Sequence, residues 1–95
     1  MAYAVISNWQ SNEGNNEDMK ELARSKYAPS IKTLGANSCF FFETSGDTFS
    51  VCTIYPDEQT ATVAIERQNA LRAEASSEMP IKFLGEVRGE VFASF

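Results

Sequence analysis

The sequence predicts an α+β fold, a four-stranded antiparallel sheet with two helices on one face, in the order β-α-β-β-α-β. Three observations carry this. Side-chain polarity alternates with period two near both ends of the chain. Apolar residues recur at three- and four-residue steps in two stretches between them. Two aromatic and β-branched stretches in the middle flank a Ser45-Gly46-Asp47 turn.

The elements follow in chain order. In Ala2–Trp9, Tyr3, Val5, Ser7 and Trp9 fall on one side and Ala4, Ile6 and Asn8 on the other, which reads as a first strand. A polar loop with Gly14 follows. The first helix is expected from Asn16 to Thr33, with Asn15 or Asn16 as cap and Glu17 and Asp18 at its positive end. Met19, Leu22, Ala23, Tyr27, Ile31 and Leu34 form its apolar stripe. Pro29 lies inside that stripe and should kink the helix or end its first part, because proline lacks an N–H and crowds the preceding turn.

Ala36–Thr44 and Thr48–Tyr55 read as a β-hairpin. A two-residue turn at Ser45-Gly46 pairs Thr44 with Asp47 and sets Cys39 opposite Cys52; a four-residue loop keeps that register, and a three- or five-residue loop breaks it. Asp57 caps a second helix whose inner side holds Ala61, Ala64, Ile65, Gln68, Leu71, Arg72 and Ala75, and which ends at Ser76–Pro80. The last strand spans Ile81–Ser94, with Gly85 and Gly89 as candidate bulges. This order is the ferredoxin-like split βαβ pattern.

Composition bounds the chemistry. With 95 residues the chain is one domain, and its surface-to-volume ratio leaves stability marginal. A net charge of −5 without a Lys/Arg cluster argues against tracking nucleic-acid phosphates. No apolar run approaches the ~20 residues of a membrane helix. No charged leader precedes an apolar run, so a cytoplasmic location is expected. The chain has no histidine. That removes Ser-His-Asp and Cys-His catalysis, HExxH zinc sites and histidine-ligated haem. No phosphate-binding glycine loop is present. No cofactor or metal is expected.

The hairpin is apolar on both sides. The two-residue turn puts Phe40, Phe42, Phe49, Val51 and Tyr55 on one side and Cys39, Phe41, Cys52 and Ile54 on the other. Two helices cover only one sheet face, so a lone subunit exposes an apolar patch of the kind that marks an interface. A homodimer with sheets face to face is expected. The two cysteines are geometrically suited to a cross-strand disulfide, and a reducing compartment keeps them as thiols.

Nearly the whole chain resembles the dimeric α+β barrel superfamily, in particular the antibiotic biosynthesis monooxygenase-like proteins. The resemblance rests on the element order at this length, on the Pro-Ser-Ile-Lys-Thr-Leu-Gly-Ala close of the first helix (Pro29–Ala36), and on the Phe-rich hairpin running into Tyr-Pro-Asp-Glu-Gln-Thr-Ala (Tyr55–Ala61). It implies two sheets closing a barrel across a dimer, and a ligand cleft in each subunit between helices and sheet. Some members of that group oxidise polycyclic phenols or quinols without metal or flavin. Others cleave haem with a histidine on the iron, a branch that a chain without histidine does not match.

Several residues are candidates for a site. Asn8 falls where an asparagine serves in such proteins, with Trp9 beside it; neighbouring strand residues point to opposite faces, so the two share one cleft only with the help of a bulge. Tyr27 and Tyr55 offer hydroxyls as positioning groups or proton relays. Arg88, on one face with Glu86 and Glu90, offers a bidentate anion site or else an ion pair. Trp9 and Phe42 offer apolar walls to a small hydrophobic or aromatic ligand. Two functions remain open: a cofactor-independent monooxygenase-like enzyme, and a non-catalytic binding or assembly domain of the same fold.

Overall fold

The computed structural model describes residues Met1–Phe95. Strands β1 (Tyr3–Ser11), β2 (Ser38–Glu43), β3 (Thr48–Tyr55) and β4 (Ile81–Glu90) form one antiparallel sheet in the order β2-β3-β1-β4. Helices α1 (Glu17–Leu22), α2 (Ala28–Lys32), α3 (Glu58–Val63) and α4 (Ile65–Glu78) lie on one face of the sheet. No helix is long and apolar enough to cross a membrane.

Side-chain parity separates two faces. Val5, Ser7, Trp9 and Ser11 of β1 and Phe49, Val51, Thr53 and Tyr55 of β3 are buried beneath the helices. Ala4, Ile6 and Asn8 point the other way, together with Ser50, Cys52 and Ile54. Trp9 stacks on its cross-strand partner Phe49 with ring centroids 6.1 Å apart and meets Phe83 edge-on at 5.1 Å. That cluster joins Met19, Tyr27, Ile31, Ala75 and Met79 into the main core.

The hairpin register departs from the expected one. Phe40 pairs with Cys52 and Cys39 with Thr53, one residue off. Three residues, Ser45–Asp47, form the loop, and Thr44 N–H donates to the Thr48 carbonyl at 3.0 Å. The cause is tertiary. Ser11 N–H donates to the Asp47 carbonyl at 2.7 Å and Asn15 N–H to the Gly46 carbonyl at 2.9 Å. Asn15 Nδ2 also donates to the carbonyls of Ser45 and Thr48, at 2.8 and 2.9 Å. The polar loop after β1 thus holds the hairpin tip in its three-residue form.

A one-residue slip exchanges the two faces of a strand. Phe40 and Phe42 therefore share the outer face with Cys52, not with Phe49, Val51 and Tyr55, while Cys39 and Phe41 face inward. Cys39 and Cys52 lie on opposite faces, and both are free thiols.

The first helical run spans 17–32, and its kink takes the form of a π-helical turn over Ala23–Tyr27, where Ala28 N–H donates to the Ala23 carbonyl. Pro29 has no N–H for the carbonyl four residues back and crowds it, so the helix widens one turn earlier. Asn16 caps α1 by accepting from Met19 N–H at 2.9 Å. Asp57 caps α3 by accepting from Thr60 N–H at 2.7 Å. The second helix is broken at Ala64 into α3 and α4. The last strand ends at Glu90, short of Ser94. Gly85 marks a bulge, as expected, and Gly89 sits in regular pairing with Ala4.

Candidate functional site

The sheet and the helices do not close on each other completely. A cavity of about 480 Å³ remains between β1–β3, the first helical run and α4. It is within the range of small-molecule sites. Trp9, Phe49, Val51 and Phe41 form its floor, and Met19, Tyr27, Ile31, Leu71 and Ala75 its roof. The π-helical turn contributes Ala23, Arg24 and Tyr27, so the widened turn borders the cavity directly. Edge strand β2 bounds the mouth with Phe40, Phe42 and Glu43.

Few polar groups reach this space. Ser7 Oγ accepts from Trp9 Nε1 at 2.9 Å, which fixes the indole edge. Thr53 Oγ1 approaches the Cys39 sulfur at 3.8 Å. Burial pushes the Cys39 thiol up, and its contact with Thr53 only partly opposes this, so the sulfur remains protonated at neutral pH. Gln68 and Arg72, four residues apart on α4, also line the cavity.

At the outer end of the roof the Tyr27 hydroxyl donates to Glu78 Oε1, and Lys26 Nζ contacts the Glu74 and Glu78 carboxylates at 2.9 and 2.8 Å. Burial, followed by the bond to ionised Glu78, pushes the Tyr27 hydroxyl up to about 12. Its proton is committed to Glu78, so the ring, and not the hydroxyl, is what Tyr27 offers a ligand.

Near Ser7 on the inner face of β4, Glu86 bridges two arginines. Arg72 Nη1 lies 2.9 Å from Oε1 and Arg88 Nη2 lies 3.0 Å from Oε2. Burial alone would raise the Glu86 carboxyl, but the hydrogen bonds and charge of Arg72, then of Arg88, hold it below its ordinary value.

The candidates named from the sequence thus separate. Trp9 and Tyr27 line the cavity, and Phe42 borders its mouth. Asn8 is exposed on the opposite face, its Oδ1 accepting from Ser50 Oγ at 2.7 Å. The bulge opposite Asn8 and Trp9 lies in β4 and does not bring the two together. Tyr55 is wholly buried among Val5, Leu34, Ala61 and Ala64. Arg88 reaches the cavity only through Glu86 and Arg72. The sequence reading placed Gln68 and Arg72 on the inner side of their helix without assigning them to a site. The signal was there: two long polar side chains, four apart, on an otherwise Ala-rich inner face.

Comparison with solved structures places the fold. A monooxygenase from Streptomyces coelicolor in complex with nanaomycin D superposes with a TM-score of 0.70 at 19% identity, over 99% of this chain and 90% of that one. The fold is shared with that monooxygenase. A protein of unknown function from Nitrosomonas europaea matches with a TM-score of 0.71 at 18% identity, over 99% of this chain and 92% of that one. A protein of unknown function from Bacteroides thetaiotaomicron, described as a possible oxidoreductase, gives 0.66 at 21% identity, over 95% of this chain and 97% of that one. At such identities the likeness shows the fold alone. No protein-family model matches the sequence, and no curated protein does. No cluster of three or more His, Cys, Asp or Glu side chains is placed to hold a metal ion.

Proposed function

We propose that the chain is a cofactor-independent, monooxygenase-like enzyme acting on an aromatic or quinol-type small molecule in the cavity between helices and sheet. The observation that carries this is the cavity: about 480 Å³, walled mainly by aromatic and aliphatic side chains, in a fold shared with a monooxygenase. The protein's part is to exclude water and hold the rings against Trp9 and Phe49. An electron-rich substrate carbon supplies the electrons. For an anthrone-type substrate, the ring CH2 becomes C=O: one oxygen of dioxygen becomes the carbonyl oxygen and the other leaves as water with the two hydrogens, so the carbon's four-electron oxidation balances dioxygen reduction.

One observation favours binding without turnover. The Tyr27 hydroxyl already donates to Glu78, and Ser7 Oγ, which accepts from Trp9 Nε1, is bonded to no base, so neither hydroxyl belongs to a proton-transfer pair open to a ligand. Oxygen uptake with a panel of naphthoquinols and anthrone-type substrates separates the two readings. Uptake above the uncatalysed background, lost when Ala75→Phe fills the cavity, supports the enzyme. Binding of the same compounds without uptake supports the binding domain.

The same reading includes a homodimer through the outer sheet face. Ile6, Phe40, Phe42, Ile54 and Val87 lie there uncovered by any helix, and Lys82 is the only charged residue among their sheet neighbours. A two-fold contact sets each residue against its own copy or a near neighbour, so an apolar, nearly uncharged face suits a second copy of itself. Light scattering after size exclusion should give twice the chain mass. A monomer at micromolar concentration refutes the dimer.

A further inference from the structure

The polar end of the cavity carries a charge imbalance that the chain does not relieve. Arg72 donates from Nη1 to Glu86 Oε1 at 2.9 Å, and Arg88 donates from Nε and Nη2 to Oε2 at 3.1 and 3.0 Å. Two guanidinium groups share one carboxylate, which leaves one positive charge in excess. The chain as a whole is at −5, so this spot runs against the sign of the protein. The Arg72 side chain is only 13% exposed, and its Cζ sits 5.0 Å from the Phe83 ring centroid.

Arg72 commits one N–H to Glu86, and a guanidinium has five. The others make no hydrogen bond within the chain. Gln68, one turn earlier, is 6% exposed and lines the same cavity, and its side-chain amide bonds to no group of the chain. Neither set of free polar atoms is sealed in protein; both side chains line the open cavity, so these groups are wet in the unliganded protein and face what enters it. A ligand that offers them an acceptor replaces that water with a charge-assisted bond.

We propose that Arg72, with Gln68 beside it, anchors the anionic group of the ligand, and that the ligand is an aromatic carboxylate whose rings lie on the Trp9 and Phe49 wall. This rests on the cavity being a ligand site, as argued above. Glu86 is the counterweight. It orients Arg72 and competes with the ligand for it.

The test uses 2-naphthoate and its uncharged amide, titrated into the full chain at neutral pH by calorimetry and by quenching of Trp9, the one tryptophan. Naphthoate should bind about tenfold or more tighter than the amide, as a charge-assisted hydrogen bond requires. Arg72→Gln should weaken naphthoate far more than the amide and so bring the two probes to within about twofold of each other. Glu86→Gln should tighten naphthoate, a change opposite in sign to structural damage and readable even if Arg72→Gln fails to fold. Equal binding of the two probes by the wild type, or weaker naphthoate binding by Glu86→Gln, overturns the anchor. In those cases the amide's binding keeps the cavity reading standing, whereas the failure of both probes to bind overturns the two together.

Discussion

Tyr55→Phe should stabilise this protein. The Tyr55 ring is 0% exposed, and its hydroxyl is a buried side-chain polar atom without a hydrogen-bond partner. In the unfolded chain the same hydroxyl is bonded to water. Leaving a buried polar group unsatisfied costs about 1–3 kcal/mol. Deleting one oxygen leaves a void whose cost is only a few tenths of a kcal/mol. The net expectation is a gain of about 1–2 kcal/mol, against the usual direction of core substitutions. Burial pushes the phenol up, so the hydroxyl is neutral at ordinary pH and ionisation does not enter the balance. Urea unfolding followed by circular dichroism reads the change. The midpoint should rise by about 1 M with the slope unchanged, and Tm should rise by about 4–8 °C per kcal/mol in a domain of this size. A midpoint that stays put or falls refutes the reasoning, because it would show that the hydroxyl gains a bond on folding.

Three further outcomes are expected. Gly85→Ala should destabilise by about 1–2 kcal/mol, because Gly85 holds a φ of +126° at the β4 bulge that a Cβ disfavours; Gly89→Ala, in regular pairing, should change stability by only a few tenths. For Tyr27, the folded pKa of about 12 exceeds the ordinary 10.0, so its contribution is intact below pH 10 and lost as pH rises towards 12; Tyr27→Phe should be less stable at neutral pH by about 1 kcal/mol and lose less across that window. Mild oxidation should leave Cys39 and Cys52 of one chain unbridged, since they lie on opposite sheet faces, and mass spectrometry of a trapped intrachain disulfide would contradict the register.

Much of the architecture was legible in local pattern. Alternation marked β1, the Met19–Ile31 stripe marked the first helix, and Asp57 announced the second. Pro29 foretold a disturbance, though not that it would take the form of a π-helical turn bordering the cavity. The break at Ala64 had no comparable signal. The site was less legible. Trp9 and Tyr27 were found because aromatic side chains on inner faces are conspicuous. Gln68 and Arg72 were placed on the correct helix face, but nothing local shows that their polar ends meet a cavity rather than solvent.

The sequence by itself determined the element types, their order, and the exclusion of every chemistry that needs histidine, because these follow from residue identity and short-range periodicity. Only the tertiary structure decided the hairpin register. Ser45-Gly46-Asp47 is compatible with more than one loop length, and the choice is made by Ser11 and Asn15, thirty or more positions away, bonding to the hairpin tip. That choice turned Cys39 and Phe41 inward and Phe40, Phe42 and Cys52 outward. Only the tertiary structure, likewise, left space between Trp9 and α4 and put two arginines on one carboxylate at its edge, because packing gaps and charge ratios arise among residues distant in sequence.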